Sequence, residues 1–527
     1  MPIDAVTTLP VPVRETPREY APGSAERARL VRRLDELAGR HTSLPMVIGG
    51  ERRLGGGERT ELAQPHHHAA KLGVLGAATA ADVRAAVDAA LAAAREWREL
   101  SFDDRAAVFL RAADLLAGPW RETLVAATML GQSKTVRQAE ADAACALADR
   151  WRGDVHAARR LLAEQPSSGP GGWNRADHRP LEGFVCAITP ADSTADAGSL
   201  PTGPALLGNT VVWKPAPAQT LAAHLTMLLL EEAGLPPGVV NLVTGDGQAV
   251  GEVALRDPAL AGLHFAGSAA AFRRLWREIG VNVARYRGFP RLAGTTGAGG
   301  DFLLAHPSAD PAAVRTALLR GAFEHQGQGR SALSRAYLPR GLWRRIRDDL
   351  LGEVDELPVG DVTDLGNFMG ALIDERAFTA AVDAIGRAGA DPGVQLLAGG
   401  QHDGAIGWFV RPTVLLGGTD RYGGCAGPLL AVRVYEDARW EEALELVAAD
   451  VPDARPSGAV FVRERPALAR AVERLRFAAG DLRVNGEPSG GGAAAPDPGC
   501  WTSARSIGEA FTPPTDYVHP HMEWSPE

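Results

Sequence analysis

The residues from 323 to 337, FEHQGQGRSALSRAY, combine a small-residue loop with groups that could take part in chemistry. The run QGQG from Gln326 to Gly329 predicts a loop whose backbone N–H groups can approach a ligand, because glycine has no Cβ in the way. Arg330, which follows, cannot attack a carbonyl carbon, since its guanidinium stays protonated. Ser331 could act as a nucleophile only with a base beside it, and His325 is the candidate base nearby in sequence. The alternative is that the serines of this stretch are ordinary hydroxyls of a loop or helix start.

The elements that must position this loop follow an alternating pattern. From Pro180 onward short apolar runs such as LEGFVCAITP, GNTVVWKP, GVVNLVTG and GLHFAGS alternate with helical segments. This order predicts a parallel sheet of the doubly wound kind, with ligands at the carboxyl ends of its strands. A second block of the same type runs from Pro311 to about Ala479. The sequence therefore predicts an α/β fold with two doubly wound parallel-sheet domains.

The first 165 residues have a different character. Residues 1–22 are rich in proline, which excludes a long helix and predicts an extended arm. Ser24 is placed to cap a helix in which Leu30, Leu34 and Leu37 share one side. Residues 79–165 are rich in alanine with an amphipathic period, which predicts mostly helix.

Composition excludes several classes of function. The chain has 527 residues, 45% of them hydrophobic and 23% charged, so it has ample apolar material for more than one core. Its net charge of -9 argues against nucleic acid or an acidic membrane as partner. The four cysteines show neither metal nor disulfide spacing, and no metal site is expected. There is no signal peptide and no run of 18 apolar residues, so a cytoplasmic location is predicted.

Several long segments, in order along the chain, resemble the aldehyde dehydrogenase superfamily, and within it the 1-pyrroline-5-carboxylate dehydrogenases that oxidise glutamate semialdehyde. The resemblance extends from about Tyr20 to Met522. The segments that carry it are VVWKPAPAQT at 211–220, GLPPGVVNLVTGDG at 234–247, LHFAGS at 263–268, DFLLAHPSADP at 301–311 and WTSARSIGEAFTPPTDYVHPHM at 501–522.

The resemblance implies a domain division and a cofactor site. It implies an extended arm at 1–22, a helical segment and Rossmann-like cofactor domain at 23–310, a catalytic-type domain at 311–479, and at 480–527 a return to the cofactor domain with a small β bridging region. By analogy with relatives, that region helps build a homo-oligomer. Four residues would remain from the cofactor site, with the lysine at the adenosine ribose and the serine near the pyrophosphate: Lys214, Gly245, Gly267 and Ser268.

The same resemblance implies that the reacting groups have been replaced. Arg330 stands where the family has its nucleophilic cysteine, Thr295 where it has the general-base glutamate, and Asp192 where it has the oxyanion-holding asparagine. Gly424 stands where a glutamate anchors the nicotinamide ribose. The loop that holds the substrate carboxylate in relatives should lie between residues 488 and 501, and here it reads SGGGAAAPDPGC.

These replacements lead to the prediction of a pseudoenzyme without NAD-dependent aldehyde oxidation, with no cofactor or only weak residual NAD binding. It would act as a scaffold for a protein partner or bind a small ligand. One alternative is a redox-independent enzyme with a rebuilt pocket formed by Asp192, Thr295, His325, Arg330 and Ser331. Another is an active dehydrogenase with a relocated nucleophile, for which Cys425 is the candidate.

Two uses are open for Arg330. It could form an ion pair with Asp192 across the former active site, in which case removing either partner would cost roughly 3–5 kcal/mol. It could instead bind the carboxylate of a small ligand through two parallel hydrogen bonds.

Overall fold

The computed structural model describes most of the chain. The described residues are 8–9, 11–245, 247–297, 301–422, 427–449, 456–487 and 498–511. The arm has no helix or strand among its described residues. The first elements after it are helix α1 (Ala25–Ala38) and strands β1 (Thr42–Ser43), β2 (Met46–Ile48), β3 (Glu51–Arg53), β4 (Arg59–Gln64) and β5 (His67–Gly76). The predicted cap is confirmed, since the Ser24 hydroxyl accepts the Arg27 amide at 3.2 Å.

A helical region follows, as the alanine-rich sequence predicts. It comprises α2 (Ala80–Glu99), α3 (Phe102–Ala117), α4 (Arg121–Gln132), α5 (Val136–Ala139), a π-helical segment (Glu140–Ala146) and α6 (Leu147–Ala163), and it leads into strand β6 (Gly172–Pro180). Thr79 and Asp82 form a reciprocal capping box at the start of α2, which fixes where that helix begins.

The first large sheet has seven strands in the order β11-β10-β7-β8-β9-β2-β3. The elements that complete it are β7 (Phe184–Thr189), α7 (Thr194–Leu206), β8 (Thr210–Pro215), α8 (Thr220–Glu232), β9 (Val240–Leu242), α9 (Gln248–Val253), β10 (Leu260–Ser268), α10 (Ala269–Val281) and β11 (Arg291–Gly297). Strands β7 to β11 are parallel, whereas β2 and β3 are antiparallel additions at one edge.

The second large sheet also has seven strands, in the order β14-β17-β18-β13-β12-β19-β20. Its strands and the helices between them are β12 (Asp301–Ala305), α11 (Pro311–Phe323), β13 (Leu333–Pro339), α12 (Arg340–Glu356), α13 (Glu375–Gly389), β14 (Gln395–Ala398), β17 (Thr413–Leu416), α14 (Thr419–Tyr422), β18 (Leu429–Tyr435), α15 (Trp440–Ala449), β19 (Ser457–Phe461), α16 (Arg465–Arg474) and β20 (Asp481–Val484). Between β14 and β17, the short strands β15 (His402–Asp403) and β16 (Phe409–Val410) pair with each other as a separate two-stranded sheet. Strands β12 and β20 lie outside the range 311–479 that the sequence assigns to this domain, and the domain boundaries stay a prediction.

Both sheets are covered on their two faces, which explains why their strands are continuous apolar runs. In β7, Phe184 and Cys186 belong to one core, while Val185 and Ala187 belong to the core on the opposite face. In the second sheet, alternate residues of strand β12 likewise belong to cores on opposite faces. The predicted α/β fold with two doubly wound parallel sheets is therefore confirmed.

The last described strand, β21 (Thr502–Ala510), returns to pair with β6 along its whole length. This antiparallel pair forms a separate two-stranded sheet. Among the described helices, none has the length and apolar character needed to cross a lipid bilayer.

The arm is held by a group of buried and half-buried charged or polar side chains, here called the arm cluster: Glu15, Tyr20, Arg121, Glu140 and Arg152. Arg121, which is 2% exposed, pairs with Glu140 and donates to Glu15 at 2.7 Å. Arg152 donates to the other oxygen of Glu15 at 2.8 Å, and the Tyr20 hydroxyl donates to Glu140 at 2.8 Å. Two guanidiniums thus meet two carboxylates, and the contacts fix the arm on α4 and the π-helical segment.

Candidate functional site

The loop that precedes β13 is fixed by contacts on both sides. Helix α11 ends at Phe323, and the next turn contains His325 and Gln326 with φ of 51° and 55°, a backbone conformation that side-chain-bearing residues rarely adopt. The Gln326 amide donates to the carbonyls of Ser133, at 3.0 Å, and of Ala371. A Cβ on Gly327 would lie 2.2 Å from a carbonyl oxygen of the opposing segment. The loop therefore has one well-defined course as it approaches Arg330.

Arg330 pairs with Asp196 in the first turn of α7, and Asp196 also pairs with Arg150 of α6. The three residues Arg150, Asp196 and Arg330 are here called the cleft cluster. The predicted pairing of Arg330 with Asp192 is wrong, because Asp192 precedes the capping residue of α7, Ser193, whereas Asp196 lies within the helix and beside α6. Asp192 forms no ion pair with any residue that the structure describes.

The stem of Arg330 packs against the end of β11. A Cβ on Gly297 would lie 2.8 Å from the Arg330 Cγ, so only glycine leaves room for this side chain. Thr295 lies two residues earlier on the same strand and therefore faces the same side of the sheet. The structure thus brings Arg330 to the strand that carries Thr295.

His325 is buried beside an ion pair that the sequence did not predict. Lys134 donates to Asp142 at 2.6 Å. Burial and the nearby Lys134 lower the pKa of His325 to about 3, so its ring is neutral, and its Nε2 has no hydrogen-bond partner among the described residues. His325 is not the partner of Ser331. The serine-base interpretation of these two residues therefore has no hydrogen bond to support it.

Ser331 instead contacts another hydroxyl. Its Oγ lies 3.2 Å from the Oγ of Ser457, whose backbone N–H donates to Asp301. Burial raises the pKa of Asp301 to about 7, and one of its carboxyl oxygens has no partner among the described residues. These contacts favour the interpretation of Ser331 as an ordinary loop hydroxyl.

Asp142 fixes the start of α7. Its carboxylate accepts the Ser193 hydroxyl at 2.8 Å and the backbone amides of Thr194 and Ala195 at 2.7 and 3.2 Å. Burial alone would raise its pKa, but Lys134 and these hydrogen bonds lower it to about 2. An ionised carboxylate therefore satisfies the free N–H groups of the helix that presents Asp196 to Arg330.

Sequence reasoning missed Lys134, Asp142, Arg150 and Asp196. A usable signal was present for Asp196, because it is the only charged residue in the segment TADAGSLPTGPAL, which forms α7 and whose residues from Thr194 to Thr202 are all buried. An acid in a helix without an exposed face requires a partner, since buried charges are rare unless paired.

The predicted cofactor residues come together at the carboxyl edge of the first sheet. Lys214 lies near the end of β8, and its chain passes close to Gly247, where a Cβ would lie 3.4–3.6 Å from the lysine side-chain atoms. Gly245 has φ of 111° and follows β9, while Gly267 and Ser268 end β10. Ser268 caps α10 by accepting the Ala271 amide at 3.2 Å. This edge offers helix N–H groups and a lysine to a phosphate-bearing ligand.

Two predicted features lie outside the described residues. Gly424, the predicted lost ribose anchor, and its neighbour Cys425 are not described, and neither are residues 488–497 of the predicted carboxylate loop. Among the described residues, no cluster of three or more His, Cys, Asp or Glu is arranged to hold a metal ion.

Comparison with known proteins gives long matches. The sequence model described as "Aldehyde dehydrogenase family" matches residues 54–507. The chain is 40% identical to the mitochondrial delta-1-pyrroline-5-carboxylate dehydrogenase of Bos taurus, covering 96% of this chain and 93% of that one. It is 41% identical to the corresponding enzyme of Agaricus bisporus, covering 92% and 89%.

Solved structures agree with this. The delta-pyrroline-5-carboxylate dehydrogenase from Mycobacterium tuberculosis bound with NAD superposes with a TM-score of 0.95 at 54% identity, covering 99% of this chain and 100% of that one. A variant of the Thermus thermophilus 1-pyrroline-5-carboxylate dehydrogenase superposes with a TM-score of 0.87 at 26% identity, covering 96% and 100%.

These comparisons contradict two predictions. The pseudoenzyme interpretation is contradicted because relatives about 40% identical over nearly the whole chain are named as dehydrogenases. The expectation of no cofactor is contradicted because a structure 54% identical to the chain is bound with NAD. Both predictions were based on five short segments, three of which lie partly outside the described residues. The assignment of Arg330, Thr295 and Asp192 to replaced catalytic positions stays a prediction.

Proposed function

This chain belongs to the aldehyde dehydrogenase family, and we propose that it is an NAD-dependent dehydrogenase of the 1-pyrroline-5-carboxylate branch. Its substrate would be glutamate semialdehyde, and its product the corresponding carboxylate. The observation that carries the proposal is the similarity to the NAD-bound relative, which extends over almost the whole of both chains.

The residues at the carboxyl edge of the first sheet fit NAD. In this proposal the N-terminus of α10, after Gly267 and Ser268, would offer N–H groups to the pyrophosphate, and Lys214, near the end of β8, would reach the adenosine ribose. Gly247 has φ of 96° and leaves space along the lysine side chain. When bound, NAD supplies the hydride acceptor of the reaction.

The described loop has no thiol, because Arg330 occupies the position that resembles the family's nucleophile. The form that this site can oxidise is therefore the hydrated aldehyde, in which water has already added to the carbonyl carbon. The C–H bond of the hydrate supplies the hydride, one O–H supplies a proton to solvent, and the carboxylic acid remains. Without covalent catalysis or a glutamate base, we expect slow turnover.

The test measures NAD binding by calorimetry and NADH formation by absorbance with 1-pyrroline-5-carboxylate as substrate. We expect saturable NAD binding and slow, substrate-dependent NADH formation. The double variant Arg330→Cys, Thr295→Glu should react faster by about 10²–10⁴-fold, the usual contribution of a positioned base, with a further gain from the thiolate.

The control places a thiol where it cannot reach the substrate. Arg344 is exposed on α12, and Arg344→Cys should leave the rate of NADH formation unchanged. Absence of NADH formation by the wild-type protein across the pH range would refute the proposed activity. Absence of NAD binding would refute the cofactor assignment as well.

We also propose that the protein is a homo-oligomer that assembles through the β6–β21 sheet. Trp173 on β6 is 48% exposed and Phe511, just after β21, is 64% exposed. Exposed aromatic side chains are enriched at protein interfaces. Light scattering of Trp173→Asp should then show a smaller particle than the wild type, whereas an unchanged mass would contradict this interface.

A cytoplasmic location also belongs to this proposal. The Bos taurus relative is named as mitochondrial. Fractionation of cells that express the chain would decide between these locations.

A further inference from the structure

The arm and helices α3 and α6 border a cavity, here called the arm cavity. It has a volume of about 490 Å³ and lies between residues 9 and 11–16 of the arm on one side and the two helices on the other. Binding sites for small molecules usually have volumes of roughly 300–1,000 Å³. The arm cavity shares no residue with the cleft cluster or with the predicted cofactor residues. It is therefore a separate candidate site.

The lining of the arm cavity is mainly apolar. Val155 of α6 belongs to the core beneath it and is 1% exposed, and Leu9 and Leu110 pack against the same core. Val11 and Val13 of the arm are 75% and 81% exposed. A ligand with an apolar body would remove these two side chains from water, which is favourable. The apolar lining residues are Leu9, Val11, Pro12, Val13, Leu110 and Val155.

Ion pairs fix the two walls of the arm cavity relative to each other. Glu15 of the arm accepts Arg152 of α6 at 2.8 Å, and its backbone N–H donates to Asp149 of the same helix at 2.7 Å. Arg121 donates to the other oxygen of Glu15 at 2.7 Å. The arm cannot close onto α6 without breaking these contacts. The cavity is therefore preorganised, which lowers the entropic cost of binding a ligand.

The polar groups that remain free in the lining favour an anion. Glu15 is the only acid among the lining residues, and it is occupied by two guanidiniums. Arg14 is exposed and forms no hydrogen bond or ion pair with any residue that the structure describes, and the same holds for His156. A guanidinium has only donors, and an imidazole offers an N–H in either tautomer. A carboxylate complements both groups.

We propose that the arm cavity is a binding site for an amphipathic monocarboxylate, an alkyl chain of about eight carbons that ends in one carboxylate. The chain would lie on Leu110, Val155 and the arm valines, and the carboxylate would accept N–H groups of Arg14. A bound ligand would join the arm to α3 and α6 and hold the arm more firmly in place. The proposal does not depend on the proposed oxidation or on NAD.

The first test is calorimetric titration of the full-length protein with octanoate, hexanoate and octylamine, without NAD. Octanoate should bind saturably. Hexanoate should bind roughly tenfold more weakly, because it buries two fewer methylene groups. Octylamine has the same chain with a positive charge and should bind at least about tenfold more weakly than octanoate. Absence of octanoate binding, or equal binding of octylamine, would overturn the proposal.

The second test locates the octanoate. Arg14→Gln should bind octanoate at least about tenfold more weakly than the wild type, because a charge-assisted hydrogen bond is lost. Arg14 has no partner among the described residues, so this variant should fold normally. Arg344→Gln, an exposed arginine on α12, is the matched control and should bind as the wild type does. Equal binding by Arg14→Gln, or an equal loss in Arg330→Gln, would place the ligand elsewhere and overturn the proposal.

The third test asks what covers the arm valines. Octanoate should slow proteolytic cleavage before residue 20 in the wild type, and Val13→Asp should abolish this protection because its carboxylate repels the ligand. Cleavage that octanoate leaves unchanged would contradict a site on the arm. A smaller particle by light scattering for Val13→Asp, together with no octanoate binding by the wild type, would mean that a second copy of the chain covers this surface.

Discussion

The arm cluster and the cleft cluster are built from the same residue types but differ in charge balance. In the arm cluster Arg121 and Arg152 meet Glu15 and Glu140, and each carboxylate contacts a guanidinium. In the cleft cluster two guanidiniums share one carboxylate and a buried N–H group is left over. The arm cluster therefore joins segments of the chain with its charges matched, whereas the cleft cluster has one more guanidinium than carboxylate. Burial of charge alone therefore does not mark a functional site.

The largest expected effect is on the arm cluster. Arg121→Ala would leave Glu140, which is 1% exposed, without its guanidinium partner, and should lower the free energy of unfolding by about 3–5 kcal/mol. Chemical denaturation checks this, with Arg344→Ala as an exposed control. A loss below about 1 kcal/mol would mean that the arm cluster is not structural.

Substitution of Asp301 tests whether a buried carboxyl group with an unpaired oxygen lowers the free energy of unfolding. Because its pKa is raised to about 7, the folded state keeps its proton up to that pH, whereas the unfolded state loses it near pH 4. Stability is therefore lost between about pH 4 and 7, and Asp301→Asn should restore about 1–3 kcal/mol at pH 8. Chemical denaturation of the wild type and of Asp301→Asn at pH 4 and pH 8 measures this difference in the free energy of unfolding. An equal difference at both pH values would contradict the raised pKa.

The variant Glu15→Gln tests how much of the stability provided by the arm cluster comes from its contacts to the arm. Glu15→Gln weakens contacts to Arg121 and Arg152, but Arg121 keeps Glu140, so we expect a loss of only about 1 kcal/mol. Limited proteolysis should in addition show faster cleavage before residue 20. Unchanged proteolysis would indicate that Tyr20 and the backbone contacts are sufficient to hold the arm.

The smallest expected effect on stability is at Arg330. In Arg330→Ala, Asp196 keeps Arg150, so the free energy of unfolding should change by no more than about 0.5 kcal/mol. This is far below the cost that a pair with Asp192 alone would predict. A loss above about 2 kcal/mol in chemical denaturation would assign the cleft cluster to structure and remove the contrast with the arm cluster.

Much of the fold could be predicted because its signals are local. Apolar runs such as LEGFVCAITP and LHFAGS predict buried parallel strands, and Ser24 predicts a helix start, without knowledge of distant residues. The positions of Lys214 and Ser268 at one sheet edge follow from the same pattern, since parallel strands place their carboxyl ends together.

The partners of the charges could not be predicted, because they depend on distance in space. Glu15 and Arg121 are separated by 106 residues, and no periodicity relates them. Arg330 pairs with Asp196 because of where α7 begins and how α7 packs on α6. Aligning the loop that contains Asp192 with the family's sequence gives no information about that packing. The prediction of lost activity failed for a related reason, since it relied on a few loop residues rather than on the similarity of the whole chain.

The π-helical segment from Glu140 to Ala146 supplies Glu140 to the arm cluster, and its Asp142 fixes the start of α7, the helix that carries Asp196 of the cleft cluster. It runs without interruption into α6, which carries Arg150. Deleting one residue there would rotate all of α6 by about 100° relative to the preceding helix and turn Arg150 away from Asp196. The number of residues in this helix, and not only their identity, is therefore constrained by the ion pairs at its two ends. Insertion or deletion of a single residue would disconnect the arm cluster from the cleft cluster.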